Sequence, residues 1–310
     1  MSRVLLNVRG GSAGLREGFE ALGCEVLENR WTPEGAMLEG AALCVADFVE
    51  CARELARTVG LRRRLVRAHV PLLALNRDAP FHRGVHPTRL AALRWTMPFE
   101  AYAAHSMQGA GRYARRTLYC PNAARESVYK VSDDALAALR DPARYRWDVS
   151  FLGNLDAARF REHARRVEFL EALAAKLDKL GIRSSFRDSA GISAEEQVGI
   201  MQASRINLSA MAGCDSGEEA SWGLPERCYG VPAAGGFLLA DRRHHAAEDF
   251  ADDERAEYDG MDDCVRKIRY YLEHFEEARA VAERARARVG RDHGYRNRAA
   301  RLLDCARHAG

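Results

Sequence analysis

Short apolar runs alternate with helical patterns along most of the chain, and this alternation limits the fold more than any other feature. The first cycle begins with an apolar stretch at residues 4–8 and continues through a glycine loop at 9–14. A helical pattern that ends at Gly23 follows, and a second apolar stretch at 24–28 closes the cycle. A strand, a loop, a helix and a second strand open a doubly wound domain, whose parallel strands are buried on both faces. The pattern therefore predicts the α/β class.

The alternation is interrupted once, by a polar stretch with a proline at residues 140–145, and it restarts at Trp147. Segments that link domains are typically polar and contain proline. A chain of 310 residues is long for one compact domain and comfortable for two. We therefore predict an N-terminal domain at residues 1–142 and a C-terminal domain at residues 143–310.

Composition argues against several classes of protein. The 47 basic and 44 acidic residues leave a net charge of +3, so no strong field favours nucleic acid or an anionic membrane. Eight cysteines without Cys-x-x-Cys spacing fit reduced thiols better than disulfides or a zinc site, and we predict no metal site. No apolar run reaches membrane-spanning length, and the N-terminal run breaks too early for a signal peptide. We expect a cytoplasmic protein.

The glycine loop of the first cycle places Gly10 and Gly11 soon after the first predicted strand. The main-chain amides of such a loop can contact a phosphate or a sugar, and a plain tight turn is the alternative. The loop lacks the G-x-G-x-x-G spacing of dinucleotide-binding enzymes. A nicotinamide-dependent enzyme is therefore the least favoured interpretation.

Polar side chains also follow two predicted strands of the first half. Asp78 and His82 lie in the loop after the strand at 70–75, and His105 follows the strand at 100–104. Loops at the carboxyl ends of strands carry the chemistry of α/β proteins, so these side chains are candidates for acid–base or acceptor contacts. The alternatives are a capped surface turn for Asp78 and His82, and a buried, hydrogen-bonded histidine for His105.

The stretch at residues 218–243 has the form of a ligand site at the edge of a sheet. Glu226 and Arg227 open a predicted helix, and a Gly235–Gly236 turn leads into an apolar run that ends at Asp241. An arginine fork suits the diphosphate of a nucleotide, and a carboxylate can accept hydrogen bonds from the hydroxyls of its ribose. Paired glycines let the backbone approach a sugar closely. We interpret the stretch as a nucleotide-sugar site.

The second half contains five motifs in the following order: DVSFLGNLD, SRINLSA, RCYGVPAAGGFLLADRR, DDCVRKIRYYLEHFEEARAVAERARARV and RDHGYRNRAARLL. In this order they resemble the CgeB-like glycosyltransferases, and the first half resembles that family more loosely through GGSAG and NRDAPFH. The resemblance implies a GT-B fold, in which two Rossmann-like domains face each other across a cleft and the second holds most of a nucleotide-sugar. It also implies hexosyl transfer without a metal in the site. The nucleotide-sugar donor would act as a co-substrate, with no other cofactor.

The predicted site joins the loop residues of both halves. The turn after the first strand of the second half adds Gly153 and Asn154 to it. The candidates for catalysis are Asp78, His82 and His105. The candidates for contact with the donor are Gly10, Gly11, Gly153, Asn154, Glu218, Glu226, Arg227, Gly235 and Gly236.

One position departs from the resembled pattern. CgeB-like sequences carry Arg-x-Phe/Tyr-Glu, whereas this chain has Gly230 where that glutamate falls. Glu218 and Glu226 are separated by seven residues, as two glutamates are in many retaining GT-B enzymes. Two interpretations stay open. Either Glu226, about one helical turn before Gly230, has taken over the ribose contact, or the motif is degenerate and Glu226 is a solvated charge at a helix start.

The predicted function is that of a glycosyltransferase that moves a sugar from a nucleotide-sugar donor to an acceptor. The acceptor class stays open between a glycan, a protein, a small molecule and a nucleic acid, and so does the oligomeric state. The alternative is a non-catalytic protein that binds a nucleotide-sugar or serves as a scaffold. Gly230 and the lack of a clear catalytic base motivate that alternative.

Overall fold

The computed structural model of the chain describes residues 2–8, 12–77, 85–96, 98–158, 163–211 and 222–308. The chain divides into two compact units, of which the first comprises Met1–Ala123 with Gly294–Gly310 and the second comprises Ala124–His293. This division differs from the predicted boundary at residue 142 in two places. Residues 124–142 make their contacts within the second unit, and the C-terminal helix makes its contacts within the first.

The first unit is built on a parallel sheet. Its described elements before residue 123 are β1 (Arg3–Asn7), α1 (Ser12–Glu20), β2 (Glu25–Glu28), α2 (Gly35–Leu38), β3 (Ala41–Asp47), α3 (Phe48–Arg53), α4 (Leu55–Arg67), β4 (Leu72–Asn76), α5 (Pro87–Thr96), β5 (Ala101–Ala104) and β6 (Arg116–Tyr119). Six strands pair in the order β2-β1-β3-β4-β5-β6, all parallel. Leu5 lies in one apolar cluster, whereas Val4 and Leu6 lie in another. Because successive strand residues point to opposite faces, both faces of this sheet are covered.

The second unit repeats this architecture. Its described elements are α6 (Asp133–Ala138), β7 (Trp147–Gly153), α7 (His163–Lys179), β8 (Ser184–Asp188), α8 (Ala194–Gln202), β9 (Ser204–Ser209), α9 (Arg227–Ala233), β10 (Leu238–Asp241), α10 (Ala246–Asp249), β11 (Ala256–Tyr258), α11 (Gly260–Glu273) and α12 (Phe275–Asp292). Five parallel strands pair in the order β11-β10-β9-β7-β8. The strand order reverses between β7 and β9, so the carboxyl ends of these two strands border the switch point of the sheet. The predicted α/β class with parallel sheets is confirmed.

The last helix, α13 (Tyr295–Arg307), packs against α1 in the first unit. Two glycines of α1 permit the close approach. A Cβ atom added to Gly14 would lie 2.7 Å from Cζ of Tyr295, and one added to Gly18 would lie 2.6 Å from its carbonyl carbon. Gly14, which the sequence places in a glycine loop, is therefore explained by packing.

Two local details complete the description. The helical segment after β3 is divided into α3 and α4 at Glu54, whose φ of −116° and ψ of 56° are not helical. Strand β11 follows a stretch rich in acidic residues, and it pairs with β10 through Ala256–Tyr258. In the described part of the chain, no helix combines the length and the apolar character needed to cross a membrane.

Candidate functional site

The five parallel strands of the second sheet all begin at one edge of the sheet and end at the opposite edge. We call the ends at Gly153, Asp188, Ser209, Asp241 and Tyr258 the carboxyl edge, and the ends at Trp147, Ser184, Ser204, Leu238 and Ala256 the amino edge. Ligands of open parallel sheets bind at the carboxyl ends of strands, next to the switch point. The search for a site therefore begins where β7 and β9 end.

Arg227 brings its guanidinium group to this point from the start of α9. Its Cζ atom lies 4.5 Å from the ring centroid of Phe151, and a Cβ atom added to Gly153 would lie 2.9 Å from that same Cζ. Any larger residue at position 153 would have to displace the guanidinium group. Phe151 is buried and Arg227 is partly buried, so the cation is held on an aromatic face at the end of β7. The structure thus brings together two predicted site residues, Gly153 and Arg227.

A buried arginine that the sequence patterns do not single out fixes the loops around this cation. Arg166 on α7 is 2% exposed. Its guanidinium group donates to the carbonyl oxygens of Asn154, at 2.7 Å, and of Ala210, at 3.1 Å. It also donates to the carbonyl oxygen of Met211, at 2.7 Å. Arg166 therefore ties the chain after β7 to the chain after β9, and these are the two strands that border the switch point.

An ion pair at the end of β10 fixes the same region from the other side. Arg243 donates to Oδ2 of Asp241 at 2.8 Å and to the carbonyl oxygen of Gly223 at 3.0 Å. The same Asp241 oxygen accepts from the amide of Met211 at 3.2 Å. Met211 has a φ of 37°, in the left-handed region, where its bonds to Arg166 and Asp241 hold it. Residues on both sides of 212–221 are thus anchored at the carboxyl edge.

Glu226 immediately precedes Arg227 and is more exposed than it. It is exposed, and its side chain makes no capping hydrogen bond to α9. Its carbonyl oxygen accepts from the amides of Tyr229 and Gly230, both at 2.9 Å. The start of α9 therefore offers a carboxylate to solvent and a guanidinium group to the end of β7.

Cys228, the next residue of α9, has no role as a nucleophile. The side chain is 1% exposed, and burial raises the pKa of its thiol to about 12. Because the thiolate is the reactive form, a thiol with so high a pKa is inert near neutral pH.

Asn154 lies at the carboxyl edge as predicted, but its side chain closes a local turn. Its Oδ1 atom accepts from the amide of Asp156 at 2.8 Å. The residue is exposed, and its carbonyl oxygen is held by Arg166. Asn154 therefore shapes the loop that follows Gly153.

Gly235 and Gly236 lie at the amino edge, at the far end of α9 from Arg227. Gly235 has a φ of +81°, and an added Cβ atom would lie 2.7 Å from methyl groups of Leu136 and Leu139. The amides of the two glycines donate to the carbonyl oxygens of Pro232 and Val231, which is the usual way to end a helix at a left-handed glycine. The structure therefore does not bring this pair together with Gly153 and Arg227.

The catalytic candidates belong to the first half of the chain. His105 follows β5 and is fully buried, and its amide donates to the carbonyl oxygen of Asn76 at 3.1 Å. Asp78 and His82 lie outside the described residues, as do the donor candidates Gly10, Gly11 and Glu218. Within the described residues, no group of three or more His, Cys, Asp or Glu side chains is arranged to hold a metal ion.

The described site is thus a partly buried guanidinium group with an exposed carboxylate beside it. A guanidinium group is suited to bind phosphate oxygens through paired hydrogen bonds. An exposed carboxylate can accept hydrogen bonds from hydroxyl groups. This combination suits a ligand that carries both phosphates and a sugar.

Comparison with known proteins agrees with this chemistry. Residues 138–304 match the family described as Glycosyl transferase-like. The matched range contains every described residue of the carboxyl edge that is discussed above. No curated protein matches the chain in sequence.

Solved structures resemble the chain over nearly its whole length. They include a sucrose-phosphate synthase from Thermosynechococcus elongatus (TM-score 0.64, 12% identity, 99% of each chain covered). HepE from Anabaena in complex with UDP and glucose gives a TM-score of 0.60 at 14% identity, with 98% of each chain covered. An α,α-trehalose 6-phosphate synthase from Burkholderia multivorans gives 0.61 at 12% identity, with 99% of each covered. At these identities the likeness establishes the fold, which is the GT-B class predicted from the sequence.

Proposed function

Because the chain belongs to the glycosyl transferase-like family, we propose that it transfers a sugar from a nucleotide-sugar donor to an acceptor and that the carboxyl edge of the second sheet binds the donor. The observation that carries this proposal is the contact of Arg227 with Phe151 and Gly153 at the end of β7. Gly153 ends β7, and its lack of a side chain leaves room for the guanidinium group of Arg227. A fixed cation at a strand end is suited to bind a diphosphate.

Each group of the proposed site has a defined task. The guanidinium group of Arg227 binds the diphosphate and stabilises the negative charge that grows on it as the bond to the sugar breaks. Glu226, exposed one residue earlier, accepts hydrogen bonds from the ribose hydroxyls. Arg166 and the Asp241–Arg243 pair do not need to touch the donor, because they act on the main chain around it.

The finer assignment rests on the sequence motifs. We propose that the chain is a CgeB-like, cytoplasmic hexosyltransferase that needs no metal and no cofactor besides the donor. Arg227 supplies at the leaving diphosphate the positive charge that a metal ion would otherwise provide. Asp78 and His82 are the candidates for the groups that act on the acceptor, whereas His105, the third candidate, is fully buried. A chelator is therefore expected to leave transfer unchanged.

Nucleotide binding tests the donor site directly. We expect UDP or GDP to raise the melting temperature of the chain, because a ligand that binds only the folded state stabilises it. UDP is the first probe because the structurally similar HepE was solved in complex with UDP. Replacing Arg227 by Ala removes charge-assisted hydrogen bonds and should weaken binding about 10- to 100-fold, and Glu226→Ala should also reduce the shift.

The matched control is Arg269→Ala, since Arg269 is an exposed arginine on α11 of the same unit. It should leave the shift intact. If UDP, GDP and dTDP all leave the melting temperature of the wild-type chain unchanged, the proposed donor site is wrong.

A second candidate function is favoured by Gly230, which stands where the resembled family has a glutamate. In this alternative the chain binds a nucleotide-sugar without transferring the sugar. Hydrolysis of the donor by the wild-type chain, lost in Asp78→Ala or His82→Ala, would exclude the alternative. Binding without any turnover over a panel of acceptors would favour it.

A further inference from the structure

Position 230 lies on α9 beside the phenol ring of Tyr129. A Cβ atom added to Gly230 would lie 2.6 Å from Cζ of Tyr129 and would also meet its hydroxyl oxygen. Real Cβ atoms do not approach other atoms so closely, so the phenol fills the space in which a side chain at position 230 would begin. Gly230 and Tyr129 therefore act as a pair, in which the missing side chain of one residue makes room for the other.

The phenol contacts α9 at Gly230, whose spacing along the helix relates it to the residues proposed to bind the donor. Residues three and four apart in a helix share a face, and Gly230 is three residues after Arg227 and four after Glu226. The hydroxyl of Tyr129 is therefore about one helical turn from the two residues proposed to bind the donor.

The ring of Tyr129 is held in place by packing. It is partly buried and contacts two apolar clusters, one that contains Cys228 and Tyr229 and another that contains Met201 and Val231. A group that is fixed before the ligand arrives loses little freedom on binding, which favours a direct contact.

We propose that Tyr129 contacts the ribose of the donor, with its hydroxyl in the place of the carboxylate that the resembled family carries at position 230. This inference rests on the proposed function. A phenolic hydroxyl donates one hydrogen bond and accepts another, so it can bind a ribose hydroxyl alongside the carboxylate of Glu226. Tyr129 thereby makes the site selective for a ribonucleotide over its deoxy analogue.

The test compares ribose and deoxyribose. The dissociation constants of the wild-type chain and Tyr129→Phe are measured for UDP, 2′-deoxy-UDP and 3′-deoxy-UDP, with the GDP series in parallel. Loss of a hydrogen bond should weaken UDP binding about two- to tenfold in Tyr129→Phe. The analogue that lacks the contacted hydroxyl should bind both proteins equally. A merely structural role of Tyr129 would instead weaken the binding of UDP and of both deoxy analogues by the same factor.

A swap variant strengthens the test. Gly230→Glu alone should lower the melting temperature, because its side chain meets the phenol. In Tyr129→Ala/Gly230→Glu the carboxylate enters the vacated space, so the double variant should regain the ribose preference that Tyr129→Ala loses. Melting curves identify variants that do not fold, and Tyr129→Phe keeps the ring if the swap fails.

Two outcomes would overturn the inference. If Tyr129→Phe changes the affinities for UDP and both deoxy analogues by the same factor, or changes none of them, Tyr129 does not contact the ribose. If no nucleoside diphosphate binds the wild-type chain at all, the proposed function itself fails and the inference fails with it.

Discussion

The two ends of helix α9 both depend on glycine, but for different reasons. At the carboxyl edge, Gly153 leaves space for the guanidinium group of Arg227, which is charged and partly exposed. At the amino edge, Gly235 has a left-handed backbone and leaves space for methyl groups of Leu136 and Leu139. The same residue type therefore accommodates a candidate ligand contact at one edge and apolar packing at the other.

This comparison separates two kinds of mutational effect. A change at the amino edge disturbs apolar packing and backbone geometry, so it should lower stability. A change at the carboxyl edge displaces the far end of a flexible side chain, so it should lower affinity for the nucleotide and leave stability nearly unchanged. Three predictions test this separation.

Gly235→Ala should have the largest effect. Alanine is strained at a φ of +81°, by about 1–2 kcal/mol. Its methyl group would also crowd Leu136 and Leu139, at about 1–3 kcal/mol, so the free energy of unfolding should fall by about 2–5 kcal/mol in total. Urea denaturation measures this loss.

The control for Gly235→Ala is Gly181→Ala, which has a similar φ of +68° but nothing within 4 Å of the added methyl group. It should show the backbone strain without the crowding. Nucleotide binding by Gly235→Ala is measured at a temperature at which the variant is folded. The distinction between the two edges is wrong if this variant binds the nucleotide as weakly as Arg227→Ala does.

Gly153→Ala should act through Arg227 and nowhere else. The added methyl group displaces the guanidinium group, so we expect UDP affinity to fall about 10- to 100-fold, as in Arg227→Ala. In a chain that already lacks Arg227, the same change should cost less than about twofold, because coupled sites are not additive. Titration calorimetry on both single variants and the double variant measures the coupling.

Gly199→Ala is the matched control for Gly153→Ala, because it adds a methyl group in open space on α8 of the same unit. Its affinity should equal that of the wild-type chain. Additive losses in the double variant would mean that Gly153 and Arg227 act separately.

Asp148→Asn, at the amino edge, should have the smallest effect. Burial raises the pKa of Asp148, but three hydrogen bonds from Arg183 outweigh it and lower the pKa below the usual 3.8. A lowered pKa means that the ionised carboxylate stabilises the fold above pH 3.8, and that this contribution is lost as the pH falls below that value. Asp148→Asn should therefore cost less than about 1 kcal/mol at pH 7, since Arg183 is largely exposed.

The stability difference between Asp148→Asn and the wild-type chain should shrink as the pH is lowered from 7 to 3 in urea denaturation. Nucleotide affinity at pH 7 should not change, since Asp148 lies at the amino edge. A constant difference across this pH range would contradict the proposed role of the Asp148 carboxylate.

The fold was largely predictable because buried parallel strands leave continuous apolar runs, and these runs mark β1 and β4. Strand β11 was not predictable, because its three residues form a strand only by pairing with β10. The position of α13 in the first unit was not predictable either. It depends on the close packing of Tyr295 on Gly14 and Gly18, which are far away in sequence.

The candidate site was predictable in its residues but not in its arrangement. Arg227 and Gly153 were each named from sequence, yet their contact depends on the pairing of β7 with β9 and the placement of α9. Gly235 carries the same sequence signal as Gly153 but belongs to the other edge. Arg166 could not be found from the sequence, because it binds main-chain carbonyl groups. Every residue type has such a group, so no sequence motif marks its partners.

A crystal structure of the chain with a bound nucleoside diphosphate tests the central claim most directly. The diphosphate oxygens should lie about 3 Å from the guanidinium nitrogens of Arg227, beside Gly153 at the carboxyl edge. A nucleotide bound at the amino edge near Gly235, or one at the carboxyl edge that makes no contact with Arg227, would contradict the claim.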